Sequence, residues 1–162
     1  MKSSFDKVDY VDSKSDDWGN RNIVNPIMPL LLERLRIKAR SPLIVLRGAH
    51  IEGHSPDGDH PKGWGTDIRF PKLAFLKARR LIEDFLSAEE NSIFGILLDD
   101  LCSWGIYPDW KPDGGFHLGF RGHKARWGRI DNKEYMDKYY PDRKNNYVSV
   151  ATVLDYIDHF LT

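Results

Sequence analysis

Apolar positions along the chain recur at two spacings. Leu30, Leu31, Leu32, Leu35 and Ile37 give an apolar side with Arg and Lys opposite, the pattern of an amphipathic helix. Asn25-Pro26 marks its start, because Asn can cap and proline suits the first helical position. Ser41-Pro42 stops it. Leu43–Leu46 is a short unbroken apolar run and predicts a buried strand, and Thr66–Phe70 predicts a second one. Pro71 opens a helix on which Leu73, Leu76, Ala78, Leu81, Ile82 and Phe85 keep helical spacing. Ile93–Trp104 fits either element, and Ile93, Ile96, Leu97 and Leu101 lean toward helix. Gly105-Ile106-Tyr107 reads as a short strand and Asp109–Gly115 as a turn. Phe116–Phe120 alternates, with Phe116, Leu118 and Phe120 on one face and His117 and Gly119 on the other. Residues 128–147 are polar and aromatic and predict mostly loop. Ser149 caps a last helix whose Val150, Val153, Leu154, Ile157 and Leu161 share a face. The order α-β-loop-β-α-(α)-β-β-α predicts an α+β fold, a small antiparallel sheet with flanking helices.

Length and composition narrow the class. A chain of 162 residues, 41% hydrophobic and 30% charged, is long enough for one globular domain and too apolar for a disordered chain. Residues 1–20, polar and acidic, read as a flexible N-terminal arm with Phe5, Tyr10 and Trp18 as anchors; residues 21–162 read as the domain. Twenty-four Lys and Arg balance 24 Asp and Glu, which removes the general attraction to polyphosphate, so no nucleic-acid partner is expected. No apolar run approaches the roughly 20 residues of a membrane span, and the N-terminus lacks a secretory pattern. Cys102 stands alone, which excludes an internal disulfide and a thiolate metal cluster. Any metal site must therefore draw on Asp, Glu and the six histidines.

Gly48 to Gly65 is a long irregular segment holding His50, His54 and His60, and long loops inside compact domains tend to carry function. At its end stands His60-Pro-Lys-Gly63-Trp-Gly-Thr-Asp67. A histidine closing a loop and an aspartate on the next strand can converge on one ion, and two His with a carboxylate form a catalytic zinc set with an open position. His117, facing away from Phe116 and Leu118, can supply the third ligand if its strand pairs with that of Asp67. A half-exposed strand histidine and a solvated loop histidine are the plainer alternatives. The basic run Arg121 to Arg129 with Trp127 suits an acidic substrate, or equally a solvated face.

The spacing His60…Gly63…Asp67, followed by Gly105-Ile106-Tyr107-Pro108 and Phe116-His117-Leu118, resembles the zinc D-alanyl-D-alanine carboxypeptidase family. That family includes phage cell-wall endopeptidases and shares its fold with the zinc domain of hedgehog signalling proteins. The stretch from Phe116 through Arg121-Gly122 to Ala125-Arg126-Trp127 is similar to phage-type members, and the resemblance covers about residues 40–130. It implies a hedgehog/DD-peptidase-like fold, one Zn2+ held by His60, Asp67 and His117, and Arg47 as the arginine near the scissile carbonyl. It also implies a peptidoglycan stem peptide or cross-link as substrate, cut by a monomeric metallopeptidase. Trp64, Tyr107, Trp110 and Arg121 are the expected substrate contacts. Without an export signal, such an enzyme is made in the cytoplasm and reaches the wall through a pore or in a virion.

The chain also departs from that pattern. The glutamate that many members carry three residues before the last histidine is Gly114 here. Asp113, with Asp109 further back and His54 in the loop, are the replacement candidates for proton transfer. The aspartate that phage-type members often carry two residues after the histidine is Gly119, and the usual serine before the first ligand is Gly58. The alternative expectation is therefore a zinc-binding or wall-binding module of the same fold, weakly active or inactive, such as a virion component.

Overall fold

The computed structural model describes residues 16–52 and 56–161. Six strands form one sheet: β1 (Ile44–Arg47), β2 (Gly65–Arg69), β3 (Cys102–Tyr107), β4 (Gly115–Phe120), β5 (Ala125–Arg129) and β6 (Tyr147–Val148). They lie in the order β1-β2-β4-β3-β5-β6. Five helices accompany them: α1 (Ile27–Ala39), α2 (Phe75–Ser87), α3 (Leu98–Leu101), α4 (Lys133–Tyr139) and α5 (Val150–Phe160). The fold is α+β, as expected. Among the described residues no helix is long and apolar enough to cross a membrane.

The register decides where chemistry can sit. Arg47 pairs with Asp67, Asp67 with His117, His117 with Gly105, and Gly105 with Trp127. Directly paired residues project to the same side of a sheet, so this row sets the side chains of Arg47, Asp67, His117 and Trp127 on one face, with Gly105 leaving room between the last two. The alternating positions Ile68, Trp104, Ile106, Phe116 and Leu118 are buried and join the core. Helix α1 packs on α2 and β4, and α5 lies on β3 and β5. One face is thus closed by helices, and the other carries His117 and Asp67.

Several elements differ from the sequence reading. The sheet is mixed rather than antiparallel throughout, because β3 and β5 run parallel. The chain reverses once after β4, which is antiparallel to β3, and then takes β3's other edge; a strand placed there must run along β3. Ile93–Trp104 is not a helix. Ile93 and Ile96 exchange backbone hydrogen bonds of 2.9 and 3.0 Å across a turn in which Phe94 and Gly95 both have positive φ. A single helical turn, α3, follows, and Cys102 already belongs to β3. Every residue of β3 is buried, as in a strand covered on both faces, while Ile93, Ile96, Leu97 and Leu101, whose spacing looked helical, all precede it.

Helix α1 buries Met28, Leu31, Leu32 and Leu35, while Leu30 and Ile37 point to solvent. Asn25 helps start it, its Oδ1 accepting from the Ile27 N–H at 3.0 Å. Residues 128–147 are not mostly loop. Asp109 Oδ2 accepts from the Asp131 and Asn132 N–H groups, and Asn132 Oδ1 caps α4 by accepting from Tyr135 N–H. A side chain more than twenty positions upstream organises this segment, which no local pattern announces. Ser149 caps α5 as expected, accepting from the Thr152 N–H.

Strand β1 is an edge strand, not a buried one, with Val45 as its one fully buried residue. The end of the N-terminal arm covers that edge. Asp17 N–H donates to Val45 O, Gly48 N–H to Asp17 O and Ala49 N–H to Trp18 O. Trp18 is buried, so this anchor holds; Phe5 and Tyr10 lie outside the described residues.

Candidate metal centre

Three side chains meet on the open face of the sheet. Asp67 sits in the middle of β2 and His117 directly opposite in β4. His60 ends the loop that leads into β2 and swings over the same point. His117 Nδ1 lies 3.0 Å from Asp67 Oδ1, His60 Nε2 lies 3.2 Å from His117 Nδ1, and His60 Nε2 lies 3.3 Å from Asp67 Oδ1. All three residues are buried. Ligand atoms about 2.0–2.1 Å from a tetrahedral ion are roughly 3.3 Å apart, so the three atoms span one face of such a shell. The group could hold one metal ion, and all three residues line a cleft.

The remaining ring nitrogens are fixed from outside. His60 Nδ1 donates to the Gly48 carbonyl at 2.7 Å, which leaves the Nε2 lone pair facing the triad. His117 Nε2 donates to Asp59 Oδ2 at 3.1 Å, which leaves Nδ1 facing Asp67 and His60. Asp59 is itself held. Arg121 Nε donates to its two oxygens at 2.6 and 2.7 Å, and Ser103 Oγ donates to Oδ2 at 3.0 Å.

These contacts set the protonation of the centre. Burial alone would raise the carboxyl of Asp59, but the hydrogen bonds and charges of His117 and Arg121 outweigh it and bring it down to about 2. Burial likewise opposes ionisation of Asp67, and the two histidines hold it well below the usual carboxylate range. His117 moves upward, because the two carboxylates overcome the desolvation that favours its neutral form. Two carboxylates are thus kept ionised in a buried place, where a cation has most to gain.

Above the triad opens a cleft of about 630 Å³. Arg47, Tyr107, Trp110 and Arg121 line it, together with Trp127, Arg129 and Tyr147. Arg47 donates from a terminal nitrogen to the Glu52 carbonyl at 2.7 Å. Tyr107 and Trp110 pack with ring centroids 4.2 Å apart and planes tilted by 31°, forming an apolar wall. Trp127 Nε1–H donates to the Tyr107 oxygen at 3.2 Å. Burial pushes the Tyr107 hydroxyl far above its ordinary value, so it remains a neutral donor.

Other expected members are elsewhere. Trp64 is 42% exposed and does not line the cleft; its backbone is engaged instead, the N–H donating to the Asp59 carbonyl at 2.8 Å and the carbonyl accepting from Phe120 N–H at 2.7 Å. Asp113 is exposed on the turn before β4 and does not reach the cleft. Gly114 follows it with φ +74°, and a Cβ there would strike the Phe75 ring, so the chain turns Asp113 outward and no side chain fits at 114. Asp109 is committed to the start of α4 and to Tyr156, whose hydroxyl donates to it at 2.7 Å. His54 lies outside the described residues. His50 meets Asp17, and His123 and His159 are exposed. The basic run is no continuous patch, since Arg121 serves Asp59, Lys124 and Arg126 serve Asp99, and Arg129 serves Asp131.

The sequence reading missed Asp59. Its only local signal is its place beside His60, while its partners stand 44, 58 and 62 positions away. No protein-family model, no curated protein and no solved structure matches this chain.

Proposed function

We propose that the chain is a zinc-dependent peptidase that hydrolyses an amide bond in peptidoglycan stem peptides or cross-links. The observation that carries the metal part is the convergence of His60 Nε2, Asp67 Oδ1 and His117 Nδ1 to 3.0–3.3 Å at the floor of an open cleft. The set of two imidazoles and one carboxylate suits zinc. An ion bound there supplies Lewis acidity, polarising a carbonyl and lowering the pKa of water. The substrate class rests on the resemblance of His60…Asp67, Gly105–Pro108 and Phe116–Leu118 to cell-wall peptidases. The same resemblance supports a lytic role reached through a pore or a virion.

The chain's own residues supply the rest. His60, Asp67 and His117 would hold the ion. Arg47 and Arg121 present guanidinium charge at the cleft, where an oxyanion developing on the substrate is stabilised. The Tyr107 oxygen accepts from Trp127, so its own proton is available to donate to substrate. Tyr107 and Trp110 give a peptide an apolar wall to lie against.

A second reading, a zinc-binding or wall-binding module with little or no activity, is favoured by one specific observation. Among the described residues no carboxylate stands uncommitted in the cleft to take a proton. Asp59 is clamped by Arg121, Asp113 faces away, and position 114 admits no side chain. Purified protein incubated with bacterial cell walls, with and without a chelator, separates the two readings. Release of new amino termini that stops with chelator and in His60→Ala and His117→Ala supports the peptidase. One equivalent of bound zinc without product supports the module, and full activity in either alanine variant overturns the metal reading.

A further inference from the structure

We infer that Asp59 is the positioning residue of the metal centre, the group that fixes which nitrogen of His117 faces the ion. Asp59 lies beyond the ring. It meets His117 at Nε2, whereas the triad uses Nδ1, so it stands on the opposite side of the imidazole from Asp67 and His60. It is therefore placed as a partner of a ligand rather than as a fourth ligand. Its carboxylate holds the Nε2 proton in place, and the Nδ1 lone pair is left to the ion.

Three features show that the fold is arranged around this contact. First, Asp59 has a full set of partners, with Ser103 and Arg121 donating to it besides His117. A buried carboxylate with partners of this kind is at best neutral for stability, so stability does not account for it. Second, the space it occupies exists because position 119 has no side chain. A Cβ there would lie 2.6 Å from Asp59 Oδ2, 2.6 Å from Ser103 Oγ and 3.1 Å from His117 Nε2. Position 65, on the neighbouring strand, is also glycine, and its Cβ would lie 2.5 Å from Asp59 Cβ and 2.8 Å from His117 Cε1. Two strands thus give up side chains to admit one loop carboxylate. Third, Arg121 reaches Asp59 through Nε while its guanidinium lies over the Trp127 ring, 5.5 Å from the centroid. The clamp on Asp59 is itself packed in place.

The inference rests on the triad's being a metal site but not on the reaction it performs. Its test measures Zn2+ affinity by competition with a chromophoric chelator, and ligand geometry from the visible absorption of the Co2+-loaded protein. Asp59→Ala should bind Zn2+ about 10- to 100-fold more weakly and change the cobalt spectrum. Asp59→Asn, whose amide oxygen can still accept from Nε2, should recover most of the affinity. Gly119→Ala leaves Asp59 in the sequence but crowds its carboxylate, and should weaken binding in the same direction. Unchanged affinity and spectrum in Asp59→Ala would overturn the inference, as would equal losses in the alanine and asparagine variants. If Asp59→Ala does not fold, Asp59→Asn and Gly119→Ala decide: both as tight as the unaltered protein with unchanged spectra means no positioning role. If the unaltered protein itself fails to bind Zn2+, the metal reading falls and the role of Asp59 falls with it, an outcome distinct from loss of the role alone.

Discussion

Replacing Asp67 by asparagine isolates the charge of one ligand while keeping its shape. Both histidines approach Asp67 Oδ1, at 3.0 and 3.3 Å, and an asparagine of the same shape can turn its NH2 donors toward their ring lone pairs, so the metal-free fold should survive. The effect should therefore appear in the response to zinc. A ligand that binds only the folded state stabilises it by about 2.7 kcal/mol when its free concentration is 100 times the dissociation constant. For a domain of this size each kcal/mol raises the melting temperature by about 2–4 °C, which gives a rise of roughly 5–11 °C. Loss of the anionic ligand should weaken binding by about 100-fold or more, at least the upper end of what an outer partner contributes. At the same free zinc the variant then gains only about 0.4 kcal/mol, or roughly 1–2 °C. Circular dichroism melts in zinc-buffered solution, each protein compared with its own chelator-treated form, read both numbers. Equal shifts in the two proteins, or no shift in the unaltered one, would refute the assignment of Asp67 as a ligand.

Two further outcomes follow from features away from the centre. Phe94 is fully exposed and holds φ +53°, in a two-residue turn with Gly95 where asparagine is the favoured first residue. Phe94→Asn should raise stability by about 1 kcal/mol in urea unfolding, since it relieves left-handed strain and gives up no burial; a loss would contradict the turn geometry. Burial, then the hydrogen bond to Asp109, pushes the Tyr156 hydroxyl up to about 12. Its folded value exceeds the ordinary value near 10, so its contribution is present below about pH 10 and is lost as pH rises through about 12. Tyr156→Phe should cost roughly 1.5–3 kcal/mol at neutral pH and make the alkaline decline shallower. Tyr107, also shifted upward, keeps part of that decline in the variant. Unaltered alkaline slopes would show that Tyr156 ionises as readily in the fold as outside it.

The candidate metal triad was legible because its geometry is nearly local. His60 and Asp67 lie seven positions apart across a loop-to-strand junction, and the alternation of Phe116, His117 and Leu118 shows which way His117 faces. Only one non-local fact was needed, the pairing of β2 with β4, and two apolar strands in one small domain make that pairing ordinary. The helices of the core side were legible for the same reason, since a 3.6-residue stripe is written within a dozen positions. What failed was non-local. The run from Ile93 looked helical because Ile93, Ile96, Leu97 and Leu101 share a helical spacing, although Ile93 and Ile96 flank a turn and only Leu101 lies in α3. The start of α4 depends on Asp109, and the orientation of His117 depends on Asp59, Ser103 and Arg121, which the sheet order alone brings together. Gly119 shows the limit most clearly. In the sequence it is a missing aspartate, which puts an outer group of the site in doubt while the three ligand positions stand. In the fold it is the vacancy that a carboxylate from another element fills, because a histidine needs an acceptor at its far nitrogen and is indifferent to where in the chain that acceptor comes from. Departures at outer positions of such a site are therefore weak grounds for calling it broken; the ring nitrogens and their partners have to be accounted for one at a time.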